Sequence, residues 1–375
     1  MMTDERRALE ALLSLQAPGT FARSRTHDAF GKTKPICLFG AGSNGHHIAR
    51  QLASGKHNVV AFIDETPAKQ GGVVAGLPVM SIAQALHKFG DQVPIVSTVY
   101  LAGKSFAWLK AKLALSGLKR VFPLPLLGWR YTRLLPFYFF EPLPDAMHRQ
   151  DDIHWLFNEL EDTLSRIRLV EHLKLRLALD FDPPSPTDLR TFGLDQSNFN
   201  RIHYVDCGAY DGDTMRAFLK LCDRDRISGL TAIEADPTNF NRLVRWAKEQ
   251  HIVCLQSAVG AKAGTVQFSS CGNLGSSVSV SGGLEVPVVA LDDILAPDES
   301  YMIKFDVEGY EAEALEGCQG LIATGRSILG ISVYHRPQDL FDLPRKIRRL
   351  NPNYRLFLRA HDFDGMDLTL YAIPN

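Results

Sequence analysis

A short apolar run that ends in a glycine turn and opens a helix occurs twice in this chain, as FGAGSNG (Phe39–Gly45) and as VDCGAYDGDT (Val205–Thr214). Such a start commits the chain to a parallel strand that returns through a right-handed crossover. Two of them in 375 residues predict two α/β units, each with a ligand-type turn at the carboxyl end of its first strand.

The flanking segments carry the same alternation. KPICLFGAG, NVVAFIDE (58–65), VPIVSTV (93–99) and LKRVFPLP (118–125) read as strands, with SNGHHIARQLASG as a helix burying Ile48, Ala49 and Leu52. DDIHWLFNELEDTLSRIRLVEHLKLRLALDF reads as one long helix, stopped by the prolines of DPPSPTD. Beyond it, strands are predicted at 202–208, 230–236, 252–259, 301–307 and 327–334. A hairpin-like insertion precedes residue 301, and YRLFLRA and DLTLYAI form a closing antiparallel hairpin. The expected organisation is an N-terminal extension (1–33), a Rossmann-like domain (34–144), a helical bridge and linker (145–200), and a second α/β domain (201–375). Five parallel strands closed by a hairpin is the layout of a class I methyltransferase fold. A plain dinucleotide dehydrogenase is not expected to end this way.

Composition narrows the partners. A net charge of -1 gives no bulk attraction to nucleic acid or an anionic membrane. Cys37, Cys207, Cys222, Cys254, Cys271 and Cys318 form no CxxC pair, and the 12 histidines show no HExxH spacing, so reduced thiols and no metal are expected. The amphipathic start MMTDERRALEALLSLQ lacks a signal-peptide core, and the aromatic run LLPFYFFEPLP (134–144) is too short to span a bilayer. A cytoplasmic protein is expected, with the aromatic run packed between domains or against a partner. The oligomeric state is left open.

The second glycine turn has a chemical bias. Gly208 and Gly212 let the backbone approach a ligand, and the helix that follows offers N–H groups to a carboxylate. Asp206 and Asp211 disfavour a polyphosphate and suit a cationic amine. Glu234, 22 residues after Gly212, ends the next strand in AIEAD, where it can accept both ribose hydroxyls. S-adenosylmethionine combines an ammonium, a carboxylate, ribose hydroxyls and a sulfonium. SAVG ends the third strand, where an adenine would lie. KFDVEGYEAEALEG places Lys304, Asp306 and Glu308 in alternation, on one face of a buried strand. Such charges are costly unless paired or used. An internal Lys304–Asp306 or Lys304–Glu308 ion pair is the purely structural alternative.

Residues of about 200–375 resemble the FkbM-type S-adenosylmethionine-dependent methyltransferases through VDCGAYDGDT, AIEADP, SAVG, LDD, IKFDVEGYEAEALEG and VYHR. Cys207 stands where many relatives have a small aliphatic residue. The resemblance implies O-methylation of a hydroxyl, often on sugars, glycans or polyketides. It implies that Asp206, Gly208, Tyr210, Asp211, Gly212 and Thr214 hold the methionine part and Glu234 the ribose. Asp236 or Ser257–Ala258 would border the adenine, and Glu308 belongs to the same cofactor set. A hydroxyl acceptor must lose a proton as it attacks. Asp306 is the first candidate for general base or acceptor anchor and His335 the second, with Lys304 beside them. An Asp306/Glu308 magnesium site is a weaker alternative. The Ser/Gly loop 269–283 either orders over substrate or is an ordinary loop.

The first glycine loop matches GxGxxG at Gly40, Gly42 and Gly45, with Asp64 closing the next strand. Over about 34–100 it resembles the nucleotide-sugar-binding domain of bacterial sugar acyltransferases. That resemblance implies a phosphate at the loop, with Asn44 in the set, and a ribose or base at Asp64. A scaffold that binds nothing is the alternative. Two further readings stay open for the whole chain: an NAD(P)-linked oxidoreductase using this loop, and a non-catalytic nucleotide-binding scaffold.

Overall fold

The fold was analysed in a computed structural model, which describes residues 2–14, 30–31, 33–131, 134–135, 138–139, 149–181, 187–188, 190, 201–269, 277–278 and 283–375. The chain divides into two compact units. The first comprises Met1–Asp151, Ile167–Thr187 and Asp362–Met366; the second comprises Asp152–Arg166, Asp188–His361 and Asp367–Asn375. The expected bridge is thus shared between them. Most of the aromatic run, the proline linker and the Ser/Gly loop fall outside the described residues.

The first unit holds β1 (Ile36–Phe39), β2 (Val59–Ile63), β3 (Val73–Val74), β4 (Leu77–Met80), β5 (Ile95–Ser97) and β6 (Val121–Pro123), ordered β3-β4-β2-β1-β5-β6. All pairings are parallel except β3 with β4. Each crossover helix starts on a recognisable signal. Ser81 and Gln84 form a capping box before Ile82–Phe89, and Ser105 caps Phe106–Leu115. Cys37, Phe39, Ala61, Ile63, Leu109 and Leu113 share one core, so the strands read as continuous apolar runs because helices cover the sheet. The β3–β4 hairpin escapes sequence reading. Its turn residues, Ala75 and Gly76, both have positive φ, and alanine is a poor marker for that turn.

The long helix predicted over the bridge is two helices, Gln150–Glu159 and Thr163–Ala178. Leu160 closes the first helix on the Leu156 carbonyl at 3.1 Å and bridges Leu356. Asp162 accepts the Ser165 N–H at 2.7 Å and pairs with Arg359 at 2.6 Å, which starts the second helix anew.

The second unit holds β7 (Ile202–Cys207), β8 (Ile227–Ile233), β9 (Val253–Leu255), β10 (Ala258–Val259), β11 (Gly264–Ser269), β12 (Ser277–Val278), β13 (Leu284–Val289), β14 (Tyr301–Phe305), β15 (Ile328–Ser332), β16 (Tyr354–Ala360) and β17 (Leu368–Pro374). The main sheet runs β16-β17-β15-β14-β7-β8-β9, and β10-β13-β11-β12 form a second sheet. The five central strands are parallel, while β17 lies antiparallel to both β15 and β16. This is the Rossmann-like methyltransferase arrangement, with its terminal hairpin. The strand expected at 252–259 divides, because β9 pairs with β8 whereas β10 pairs with β13. The helix expected after residue 309 also divides, into Glu311–Glu316 and Gln319–Thr324. Gly317 lies between them, where a Cβ would sit 2.0 Å from the Gly260 carbonyl oxygen. Tyr204, Met215, Phe218, Leu243 and Met302 fill the core beneath the first crossover.

The basic helix Asp339–Leu350 is neutralised locally. Arg345 pairs with Asp152 at 2.7 Å, Lys346 with Glu316 at 2.6 Å and Arg348 with Glu159 at 2.6 Å. Among the described residues no helix is long and apolar enough to cross a membrane. Cys37, Cys207, Cys222 and Cys318 are buried free thiols.

Candidate active site

The strand order of the second unit reverses between β7 and β14, and a crevice at the carboxyl ends of strands on either side of such a reversal is where open α/β sheets bind ligands. A cleft of about 700 Å³, its open mouth included, lies there. Gly208, Tyr210, Thr214, Glu234, Ser257, Ala258, Lys304, Asp306 and Glu308 all line it.

Gly208 makes the crevice possible. Its φ is 79°, and a Cβ would fall 1.8 Å from the Asp306 carbonyl oxygen, so β7 and β14 meet here only through glycine. Tyr210 follows with φ 49° and donates its N–H to Glu234 Oε2 at 2.8 Å. The Asp236 N–H donates to Glu234 Oε1 at 2.8 Å. Each Glu234 oxygen keeps acceptor capacity for a further donor. Burial pushes this carboxyl up to about 7 against those two N–H bonds.

Lys304 and Asp206 are register partners on β14 and β7, and their side chains pair at 3.1 Å, both buried. Lys304 also meets Asp306 at 3.3 Å and the Gly208 carbonyl at 3.3 Å. Burial alone would lower the Lys304 ammonium, but Asp206 and Asp306 outweigh it and keep it charged. Asp206 Oδ2 is buried with no donor among the described residues.

A second cluster joins β14 to the end of β15. His335 Nδ1 lies 2.8 Å from Glu311 Oε1, while its Nε2 faces Asp306 Oδ1 at 3.5 Å and Glu308 Oε2 at 3.6 Å. Burial disfavours the imidazolium, yet Glu311, Glu308 and Asp306 together raise His335 to about 10. Asp306 moves the other way. Burial would raise it, but Lys304, His335 and the Ser332 hydroxyl at 2.9 Å hold it near 2. Glu308, dominated by burial, rises to about 8. Alternation along a strand is not what aims Glu308: β14 ends at Phe305, and Glu308 sits beyond it in a left-handed turn with φ 53°.

Five expected residues are not among those that line the cleft: Asp206 and His335, which sit behind its wall, and Asp211, Asp236 and Gly212. Asp211 turns to Arg216, 2.5 Å away, whose guanidinium stacks on Trp246. Asp236 caps the helix Pro237–Ala247 by accepting the Thr238 and Asn239 N–H groups. Gly212 caps Asp213–Leu221 from a left-handed conformation. Conversely, Asp213, Ala235, Asn239, Val259, Phe268, Val307 and Tyr310 line the cleft without having been singled out in the sequence. Ala235, Val259 and Val307 are immediate neighbours of residues that were. Phe268 comes from β11 of the second sheet, which no local signal ties to the crevice.

Asp306, Glu311 and His335 each bring an atom within 4.8 Å of the others, a spacing that could hold a cation. With no ion bound, the same carboxylates favour the imidazolium form of His335.

In the first unit, Asp64 accepts the Ala41 N–H at 2.7 Å and the Thr66 N–H at 2.9 Å and pairs with Lys69 at 3.1 Å. Burial would raise it; these donors hold it near 2. Asn44 donates to the Thr98 carbonyl at 2.7 Å. A Cβ on Gly40 would meet Val99 at 2.4 Å, and one on Gly45 would meet the Gly40 carbonyl at 2.0 Å, whereas Gly42 faces open space.

Residues 206–364 match the family model of the methyltransferase FkbM domain. The crystal structure of methyltransferase FkbM from Methylobacillus flagellatus KT superposes with a TM-score of 0.71 at 21% identity, covering 98% of each chain. That likeness extends the shared fold over both units. No curated protein sequence matches the chain significantly.

Proposed function

We propose, from the match of residues 206–364 to the family model of the methyltransferase FkbM domain, that the protein is an S-adenosylmethionine-dependent O-methyltransferase acting on a hydroxyl of a sugar, glycan or nucleotide-linked sugar. The observation that carries this reading is one cleft that brings Gly208 and Glu234 together with Lys304, Asp306 and Glu308, with His335 behind them. A buried carboxylate oxygen without a donor among the described residues (Asp206 Oδ2), a glycine cradle and a second carboxylate with spare acceptor capacity fit an ammonium-bearing, ribose-bearing ligand.

In this reading Asp206, Gly208, Tyr210 and Thr214 hold the amino-acid part, Glu234 the ribose, and Ser257–Ala258 the adenine edge. Bound S-adenosylmethionine supplies a methyl group already activated by its sulfonium. The chain's own task is to position the acceptor oxygen, exclude water and receive a proton. Asp306 is fixed by Lys304, Ser332 and His335, which suits it to anchor a hydroxyl in one orientation. A carboxylate-rich wall suits an acceptor rich in hydroxyl donors.

Thermal unfolding with S-adenosylmethionine, S-adenosylhomocysteine, NAD and NADP in parallel tests the cofactor. A ligand that binds only the native state adds about 2.7 kcal/mol at a hundredfold excess over its dissociation constant. The adenosyl ligands are expected to raise the melting temperature. A shift with the nicotinamide ligands alone would overturn the proposal.

A further inference from the structure

Glu308 differs from the other carboxylates at or beside the cleft, of which Asp213 accepts the Thr214 hydroxyl at 3.5 Å. Asp306 is held by Lys304 and Ser332, Asp206 by Lys304, and Glu234 by two backbone N–H groups. Glu308 lines the cleft, yet accepts no hydrogen bond within 3.5 Å among the described residues; its nearest polar partner is His335 Nε2 at 3.6 Å.

Its position is also enforced. A non-glycine residue at φ 53° is strained and persists only where its surroundings fix it. Here Glu311 supplies the restraint. Its Oε1 accepts the Val307 N–H at 3.0 Å and the Gly309 N–H at 3.3 Å, on either side of Glu308, and the same oxygen faces His335 Nδ1. One buried carboxylate thus fixes both the turn that carries Glu308 and the imidazole beside it.

We propose that Glu308 is the proton acceptor of the methyl-transfer site, and that it releases a proton when a cationic ligand enters the cleft. The inference rests on the cofactor reading above. As the acceptor oxygen bonds to the methyl carbon and the carbon–sulfur pair stays on sulfur, the hydroxyl proton passes to the Glu308 carboxylate. The charged groups facing Glu308 are Lys304 from β14, Asp306 just beyond its end, Glu311 from the next helix and His335 after β15, with Arg336 against Gly309. Burial and the two acids raise Glu308 to about 8 despite His335 and Lys304, so it holds a proton into the neutral range. A positive charge in the cleft lowers that value and expels the proton.

The test is calorimetric titration of the full chain at pH 7.5 with S-adenosylmethionine and S-adenosylhomocysteine, each in phosphate and in Tris. The dependence of heat on buffer counts protons released. Both ligands carry the same ammonium and ribose, so Glu234 contributes equally; only the sulfonium differs. The expected result is a larger release with S-adenosylmethionine. That excess is lost in Glu308→Gln, kept in Asp339→Asn, and moved to lower pH in Glu308→Asp. Retained S-adenosylhomocysteine affinity in Glu308→Gln shows that the variant is folded. An undiminished excess in Glu308→Gln that binds both ligands overturns the role of Glu308 alone. Loss of the excess on adding a chelator assigns the charge to a metal and overturns it too. Absence of binding by either ligand to the wild-type protein overturns the cofactor reading and this inference with it.

Discussion

His335 Nδ1 and Glu311 Oε1 stand 2.8 Å apart, both side chains buried, in a turn that supplies two of the charged groups of the cleft. The pair does structural and chemical work at once, because the same Glu311 oxygen holds the backbone on both sides of Glu308. Removing one partner of a buried ion pair leaves the other uncompensated. Glu311→Gln is therefore expected to cost about 3–5 kcal/mol of stability. It also lowers the His335 pKa, since Glu311 is the largest influence opposing burial there. Urea denaturation measures the first effect and imidazole NMR titration the second. An unchanged His335 titration in a folded variant would show that Glu311 is not its counter-ion.

The pH dependence of stability follows from the same cluster. His335 is raised from 6.5 to about 10, so its contribution is complete below 6.5 and is lost as pH climbs through 10. Glu308 is raised from 4.5 to about 8; the native state again binds the extra proton, and stability falls as pH rises across that window. Asp306, lowered from 3.8 to about 2, loses its contribution only in strong acid. The expected outcome is a urea midpoint that declines between pH 6 and 9. Glu308→Gln flattens the part of that slope below pH 8. A wild-type midpoint flat across the range would contradict both assignments.

Much of this site was legible because charge at strand ends is costly and therefore informative. Lys304, Asp306, Glu234 and His335 announced themselves that way, and the glycine turn located the crevice. What stayed hidden depended on partners distant in sequence. Spacing offered the Lys304–Asp306 pair, which is present at 3.3 Å, but could not show the second partner, Asp206, from a strand 98 residues earlier. Asp211 has the right type and place, but Arg216 one turn along the helix claims it. The roles of His335 and Glu308 could not be separated by residue type. Three carboxylates turn the histidine from a base into a fixed cation, while burial makes the glutamate the group near neutrality. The breaks at Leu160 and Gly317 are likewise tertiary, one set by a strand bridge and the other by a backbone contact.

The two glycine turns are expected to respond differently to alanine. Gly208→Ala forces a Cβ into the Asp306 carbonyl oxygen and should cost more than about 2 kcal/mol, with loss of adenosyl-ligand binding. In the first loop, Gly45→Ala collides with the Gly40 carbonyl, while Gly42→Ala meets nothing within 4 Å and adopts an ordinary φ of -88°. Gly42→Ala should therefore fold with at most about 1 kcal/mol lost from its helix cap. That makes it the clean probe of a nucleotide-type ligand. Titration of the wild-type chain and Gly42→Ala with nucleotide sugars should show weakened binding in the variant. No heat with either protein would favour a loop that serves packing alone, in keeping with Asp64 being engaged by Ala41, Thr66 and Lys69.

Lys304 and Asp206 allow fold and function to be separated. Lys304→Met leaves Asp206 buried without its cation, and Asp206→Asn leaves Lys304 leaning on Asp306 alone, so each single change is expected to destabilise by about 3–5 kcal/mol. The double variant replaces a buried ion pair with neutral groups of similar size. It should recover a large part of that loss, because neither charge is then stranded. Recovery of stability need not restore binding. Asp206 Oδ2 is a buried acceptor that no donor among the described residues satisfies, so an ammonium-bearing ligand should bind the double variant at least tenfold more weakly than the wild type. Urea denaturation and calorimetry with S-adenosylhomocysteine on the same four proteins decide the matter. A stable double variant with wild-type affinity would show that Lys304 and Asp206 only hold β7 to β14, and the ammonium would then have to be received elsewhere in the cleft.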